Sequence, residues 1–179
     1  RVWFVLLAAD LLLATQLTSG QLKQGAFLLS VCLIYTLLNQ ELSRRFFPKE
    51  ICVALIYAGG VVVFLPEVLK IDFFIAFTGL CLLNCLIIGA KEREIDAEMH
   101  VHSIALKIAD RWLMPTAWIA AGAVLWSGVE LSYAMALSFG LLGALQSLRN
   151  RVDVETFRVL ADAALLFAPI MVWLRDLAI

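Results

Sequence analysis

Seven apolar stretches, at about 2–17, 22–41, 50–69, 71–91, 111–128, 130–148 and 154–177, follow one another along the chain. Most approach the roughly 20 residues that a helix needs to cross the hydrocarbon core of a bilayer. Lipid offers no partner to a bare peptide group, so a spanning segment must satisfy its backbone internally. These runs lack the two-residue alternation of a membrane barrel, which leaves helices. The expectation is an all-α fold, a polytopic transmembrane bundle of about seven spans forming one membrane-embedded domain over 1–179. Composition agrees: the chain is 63% hydrophobic and 16% charged, where soluble domains are about half apolar and about a quarter charged, and its mean hydropathy is +0.92. The opening at Arg1, without a signal-peptide layout, reads as a fragment missing its N-terminal helices.

Charge sorts the connections between the stretches. Strict alternation of seven spans gives one side Arg1, Arg44, Arg45, Lys49, Lys91, Arg93, Lys107, Arg111, Arg149, Arg151 and Arg158, and the other only Lys23, Lys70 and Arg175. This bias places the first side in the cytoplasm and the C-terminus outside. The expected location is therefore the inner or cytoplasmic membrane, with membrane lipid as a partner. A net charge of −1 gives no basic surface for nucleic acid, which is not expected as a partner. Cys32, Cys52, Cys81 and Cys85 lie inside apolar runs without a Cys-x-x-Cys pair and read as packing residues.

The densest polar feature is Asn84–Ser103, NCLIIGAKEREIDAEMHVHS, which leaves an apolar run and enters a group of acids. On a continuous helix Glu92 stands beside Asp96, and Glu94 beside Glu98, each pair four apart on a shared face where like charges repel. Either the acids are solvated and neutralised locally by Lys91, Arg93 and Lys107, or a cation sits between them. Mg²⁺ is a candidate because it takes one or two carboxylates and completes its shell with water and phosphate. His100 and His102 diverge by about 200° on a helix and have no cysteine near them, which points away from zinc. Asp10 and Asp162 fall within stretches, where an ionisable group implies a polar cavity or a partner; for Asp162 the alternative to a functional role is a pair with Arg158, four residues earlier on one helix face. Asn84, poorly placed in lipid, is expected to turn inward. Ser103–Asp110, SIALKIAD, alternates too briefly to separate a strand from an interfacial helix, and Pro169 is expected to kink the last stretch.

The run from Asn84 to Ala105, an apolar helix carrying Asn and ending in acids four apart before a hydrophilic loop, resembles the second acidic motif of the UbiA-type membrane prenyltransferase superfamily. FRVLADAALLFAP, from Phe157 to Pro169, is similar to the closing helix of that family. The resemblance implies a nine-helix fold of which this chain supplies helices three to nine. It also implies two Asp-rich cytoplasmic motifs that hold Mg²⁺ on the diphosphate of an isoprenyl donor, and transfer of the prenyl group to an aromatic or other lipid-soluble acceptor. Aligned on Asn84, the last two acids of the motif fall on Glu92 and Asp96, which become the expected catalytic and Mg²⁺-binding residues. Asn84, Lys91 and Arg93 become the expected substrate-binding residues, and Arg44 and Arg45 read as positive-inside anchors. A position often held by an earlier Asp falls on Gly89, and the first Asp-rich motif belongs upstream of Arg1. The alternative is a non-catalytic relative that binds a lipid or a protein partner. A transporter is a third reading, against which stand the clustering of polar residues at one face and the lack of an inverted repeat.

Overall fold

The computed structural model of the protein describes residues 15–41, 49–63, 70–98, 103–128 and 132–177, and these are helices and turns with no strand among them. The helices are α1 (Ser19–Glu41), α2 (Lys49–Val62), α3 (Lys70–Lys91), α4 (Arg93–Glu98), α5 (Leu113–Ser127), α6 (Ser132–Ser147) and α7 (Val154–Leu177). Single 3-10 turns at Ile104–Leu106, Asp110–Trp112 and Arg149–Arg151 lie in the connections. The expected stretches from 22 onward coincide with α1, α2, α3, α5, α6 and α7, although residues 64–69 of the third lie outside the described residues. The stretch at 2–17 lies outside them but for its last three positions, as do Asp10, Arg44, Arg45, His100 and His102.

Local chemistry sets the helix ends. Thr18 and Gln21 form a reciprocal box before α1: the Gln21 amide donates to Thr18 Oγ1 at 3.3 Å, and the Thr18 amide donates to Gln21 Oε1 at 2.9 Å. Pro115 is the third residue of α5, where the missing N–H breaks no helical bond. Gly128 ends α5 in the left-handed conformation at φ 64°, which suits a residue without Cβ. Helix α7 runs as one element through Pro169.

Asp153 starts α7, its Oδ1 accepting from the Thr156 amide at 2.9 Å. That bond, ahead of one from the Thr156 hydroxyl, holds the exposed Asp153 carboxyl below the usual carboxylate range. A lowered folded pKa contributes stability present above the unfolded value and lost as pH falls through the folded one. Thermal unfolding in detergent should therefore show Asp153→Ala below the wild type at neutral pH. The gap should narrow as pH drops below about 3.9, the ordinary Asp value; a gap that does not change with pH would remove the charge from this cap.

Packing centres on α3, which touches α2, α5, α6 and α7. Phe73, Phe77, Leu80 and Ile87 put one side of it wholly inside, and the rings of Phe73 and Phe77 stack with centroids 5.3 Å apart. Small residues face them: Ala54 and Ala58 on α2, Ala117 and Ala121 on α5, and Ala161, Ala164 and Ala168 on α7 are buried. Such residues let helix backbones approach closely. Gly143 on α6 is the tightest case in this part of the bundle, since a Cβ there would meet Trp118 Nε1 at 3.0 Å and Ala117 Cβ at 3.2 Å.

Among the described residues one helix, Ile71–Lys91, is long and apolar enough to cross a membrane. Helices α2, α5 and α6, at 14, 15 and 16 residues, are shorter than the roughly 20 that a span requires. The bundle is all-helical, as expected; seven full-length spans are more than these helix lengths establish.

Candidate functional site: the polar end of the bundle

The C-terminal end of α3 meets the starts of α2, α5 and α7, the end of α6 and the 103–110 loop, so charges distant in sequence gather at one end of the helices. Lys91, Arg93, Arg149 and Arg158, which charge sorting assigned to one side, are all there. The acidic run is not one continuous helix. Helix α3 ends at Lys91, Glu92 occupies the turn with its amide still bonded to Ile88 O at 3.0 Å, and α4 begins at Arg93. Glu92 and Asp96 thus stand on either side of a helix junction. Glu94 and Glu98 are exposed, and the Asp96 side chain lies outside the described residues.

Glu92 is buried and accepts from Nε of Arg158 in an ion pair between α3 and α7. Among the described residues none of Lys91, Arg93 or Lys107, the expected local neutralisers, pairs with Glu92. Lys91 Nζ donates to the carbonyls of Arg149 at 2.7 Å and Val152 at 2.8 Å, and lies 5.7 Å from the centroid of the Phe157 ring. It thereby ties the connection between α6 and α7 to the end of α3. Arg93 Nη2 reaches the carbonyls of Ala105 at 3.0 Å and Ile108 at 2.8 Å and Asp110 Oδ1 at 2.7 Å, folding the 103–110 loop back over the helix end. Arg149 takes the other Asp110 oxygen and donates from Nη2 to Ala90 O at 2.6 Å. The loop owes its shape to these arginines; it is neither the strand nor the interfacial helix considered from its alternation, but two short 3-10 turns.

Asn84 turns inward as expected, 4% exposed, and donates from Nδ2 to Asp162 Oδ1 at 3.1 Å. Asp162 is therefore paired across the α3–α7 contact, not with Arg158, which is held by Glu92. Asn84 Oδ1 is buried without a hydrogen-bond partner among the described residues. Eight residues below Glu92, it sits roughly 12 Å deeper along α3. A buried acceptor in that state calls for a hydroxyl or amine donor.

Gly89 has a structural reason that its place in the motif did not reveal. A Cβ there would meet Ala105 Cβ at 2.9 Å, with Ser103 Oγ at 3.7 Å and Glu50 Oε1 at 3.8 Å. The loop packs directly onto the α3 backbone at this point. Glu50, at the start of α2, is 1% exposed, accepts from Ser103 Oγ, and has its Oε2 unpartnered among the described residues. Glu50, Ser103 and Asp110 were given no role in the sequence, and Arg149 only a place in the charge count. That count does not say which helices are neighbours.

Mg²⁺ needs oxygen ligands that are not already paired with a cation. Among the described residues no three His, Cys, Asp or Glu side chains come together as a metal-holding group. Glu92 faces a guanidinium, and the space at Gly89 is closed by Ala105. As arranged, the described residues do not fit Mg²⁺. Chemically this end is a lattice of ion pairs and carbonyl contacts, with one deeper polar pair at Asn84 and Asp162. Comparison of the chain with protein families, with curated proteins and with solved structures finds no match to any of them.

Proposed function

We propose that the chain is a polytopic, UbiA-like membrane protein whose acidic motif is a structural clasp, and whose bundle binds an isoprenoid or similar lipid chain without carrying Mg²⁺-dependent transfer. The observation that carries the clasp is the burial of Glu92 against Arg158 beside a Gly89 that Ala105 covers. Membrane residence draws on the outer faces. Phe27, Leu29, Leu33, Ile34 and Leu37 of α1 and Trp118 and Ile119 of α5 are exposed, large apolar side chains of the kind that mark a membrane or partner surface. Trp112 and Trp126 mark the two ends of α5 and, like Tyr133 at the start of α6, are exposed. Exposed tryptophan and tyrosine at helix ends suit the headgroup layer of a membrane. An apolar groove of about 340 Å³ between α6 and α7, lined by Leu141, Ala144, Leu148, Leu160 and Ala164, is suited to an isoprenoid or acyl chain.

A second reading, Mg²⁺-dependent transfer from an isoprenyl diphosphate to a lipid-soluble acceptor, is favoured by the unpartnered Asn84 Oδ1 and by Arg158, whose side chain is 51% exposed. It requires Arg158 to leave Glu92, as a guanidinium does readily for a phosphate oxygen. Binding to the purified protein in detergent separates the two. If the acidic motif is a clasp, isoprenyl alcohols and diphosphates of equal length bind alike, with or without Mg²⁺. Mg²⁺-dependent diphosphate binding that disappears in Glu92→Gln and Asp96→Asn would reject the clasp and establish the transferase reading.

A further inference from the structure

We propose that the polar cleft between the start of α5 and the turn after α6 binds the phosphodiester headgroup of an anionic membrane phospholipid. The cleft encloses about 460 Å³ and is walled by Asp110, Arg111, Gln146, Arg149 and Asn150. Gln146 is 8% exposed, and its Oε1 has no hydrogen-bond partner among the described residues. A buried amide oxygen in that state is costly until a donor reaches it. The hydroxyls of a glycerol headgroup are such donors.

Charge complements the phosphate. Both Asp110 oxygens are engaged, by Arg93 and by Arg149, so this acid does not repel an anion as an unpaired one would. Arg111 and Arg149 against Asp110 leave an excess of positive charge at the cleft. The Arg111 guanidinium lies 5.7 Å from the centroid of the exposed Trp112 ring, at the edge of the cleft. An arginine held against an exposed tryptophan at a helix end suits the headgroup layer, and basic pockets between helices on the cytoplasmic side hold anionic headgroups. The apolar neighbours favour a lipid over free phosphate: Met114, beside the cleft, and Trp118, one turn on, are both exposed on α5 and continue the surface where acyl chains would lie.

The inference rests on the membrane reading above, and its test keeps the two apart. The purified protein would be titrated in neutral detergent with phosphatidylglycerol, phosphatidylcholine and inorganic phosphate, reading lipid-bound fractions by native mass spectrometry. Phosphatidylglycerol should bind about tenfold more tightly than phosphatidylcholine, about 1.4 kcal/mol. Arg111→Ala should abolish that preference while leaving thermal unfolding without lipid unchanged. Gln146→Met should weaken phosphatidylglycerol more than phosphatidic acid, which lacks the glycerol hydroxyls. Equal preference in wild type and Arg111→Ala, or displacement of the lipid by millimolar inorganic phosphate, would overturn the headgroup site and leave the membrane reading standing. Release of the protein from membranes by alkaline carbonate would sink both.

Discussion

Replacing Arg158 with leucine is expected to lower the stability of the protein in detergent by about 2 kcal/mol, whereas Glu92→Gln should cost about half that or less. Removing one partner of a fully buried pair costs roughly 3–5 kcal/mol, because the other charge is left without compensation. Here the pair is asymmetric: the Glu92 side chain is 9% exposed and that of Arg158 51%. Without Arg158 a buried carboxylate is left without its partner, while without the Glu92 charge the guanidinium turns to water. Half-exposure of Arg158 is the reason for an estimate below the buried-pair range. The double variant Glu92→Gln/Arg158→Leu should recover most of the loss, since no charge is then left unpaired. Thermal or denaturant unfolding of the three variants checks the order. Equal small effects in both single variants would mean that the pair is a solvated surface contact, and the clasp would have no energetic basis.

The helices were legible because membrane-like segments announce themselves by uninterrupted apolar composition, and their register along the chain follows from where polar residues interrupt them. Asn84 was legible for a related reason: a lone amide in an apolar helix has few places to go except inward. The partner of Glu92 was not. Spacing along the chain favours neighbours three or four residues away, which pointed to Lys91 or Arg93 for the acids and to Asp162 for Arg158. The actual partner is 66 residues distant and depends on α7 lying beside α3. Side-chain reach explains the substitution. Lys91 lies next to the carbonyls of the turn between α6 and α7, and Arg93 next to those of the 103–110 loop and to Asp110, and among the described residues they bond these groups and not Glu92. The turn at Glu92 was hidden as well, since nothing in AKEREIDAE forbids a continuous helix. The bonds that fold the loop over that end run from Arg93, inside the motif, to Ala105, Ile108 and Asp110, and from Arg149 to Asp110, and of these partners Ile108, Asp110 and Arg149 lie outside it.

Gly89→Asp, which supplies the acid often found at this place in the second acidic motif of UbiA-type prenyltransferases, is expected to destabilise the protein by at least about 3 kcal/mol. Two effects add. Any Cβ at this position meets Ala105 Cβ at 2.9 Å, so the 103–110 loop must lift from α3, and overpacking of this kind costs roughly 1–3 kcal/mol. The new carboxylate also enters beside Glu50, whose Oε1 lies 3.8 Å from the Cβ position and which is 1% exposed; like charges in so dry a place raise the cost further. Gly89→Ala isolates the first effect and should cost about 1 kcal/mol, because alanine recovers up to about 1 kcal/mol of helix propensity over glycine. Ala105→Gly in the Gly89→Ala background opens the space again and should return stability toward wild type. Glu50→Gln in the Gly89→Asp background should recover part of the remainder by removing the like charge. These variants, measured by unfolding and by Mg²⁺ titration, distinguish a closed clasp from a metal site waiting for its third acid. A Gly89→Asp protein as stable as wild type and newly able to bind Mg²⁺ would show that the loop opens at little cost, and the transferase reading would then be preferred.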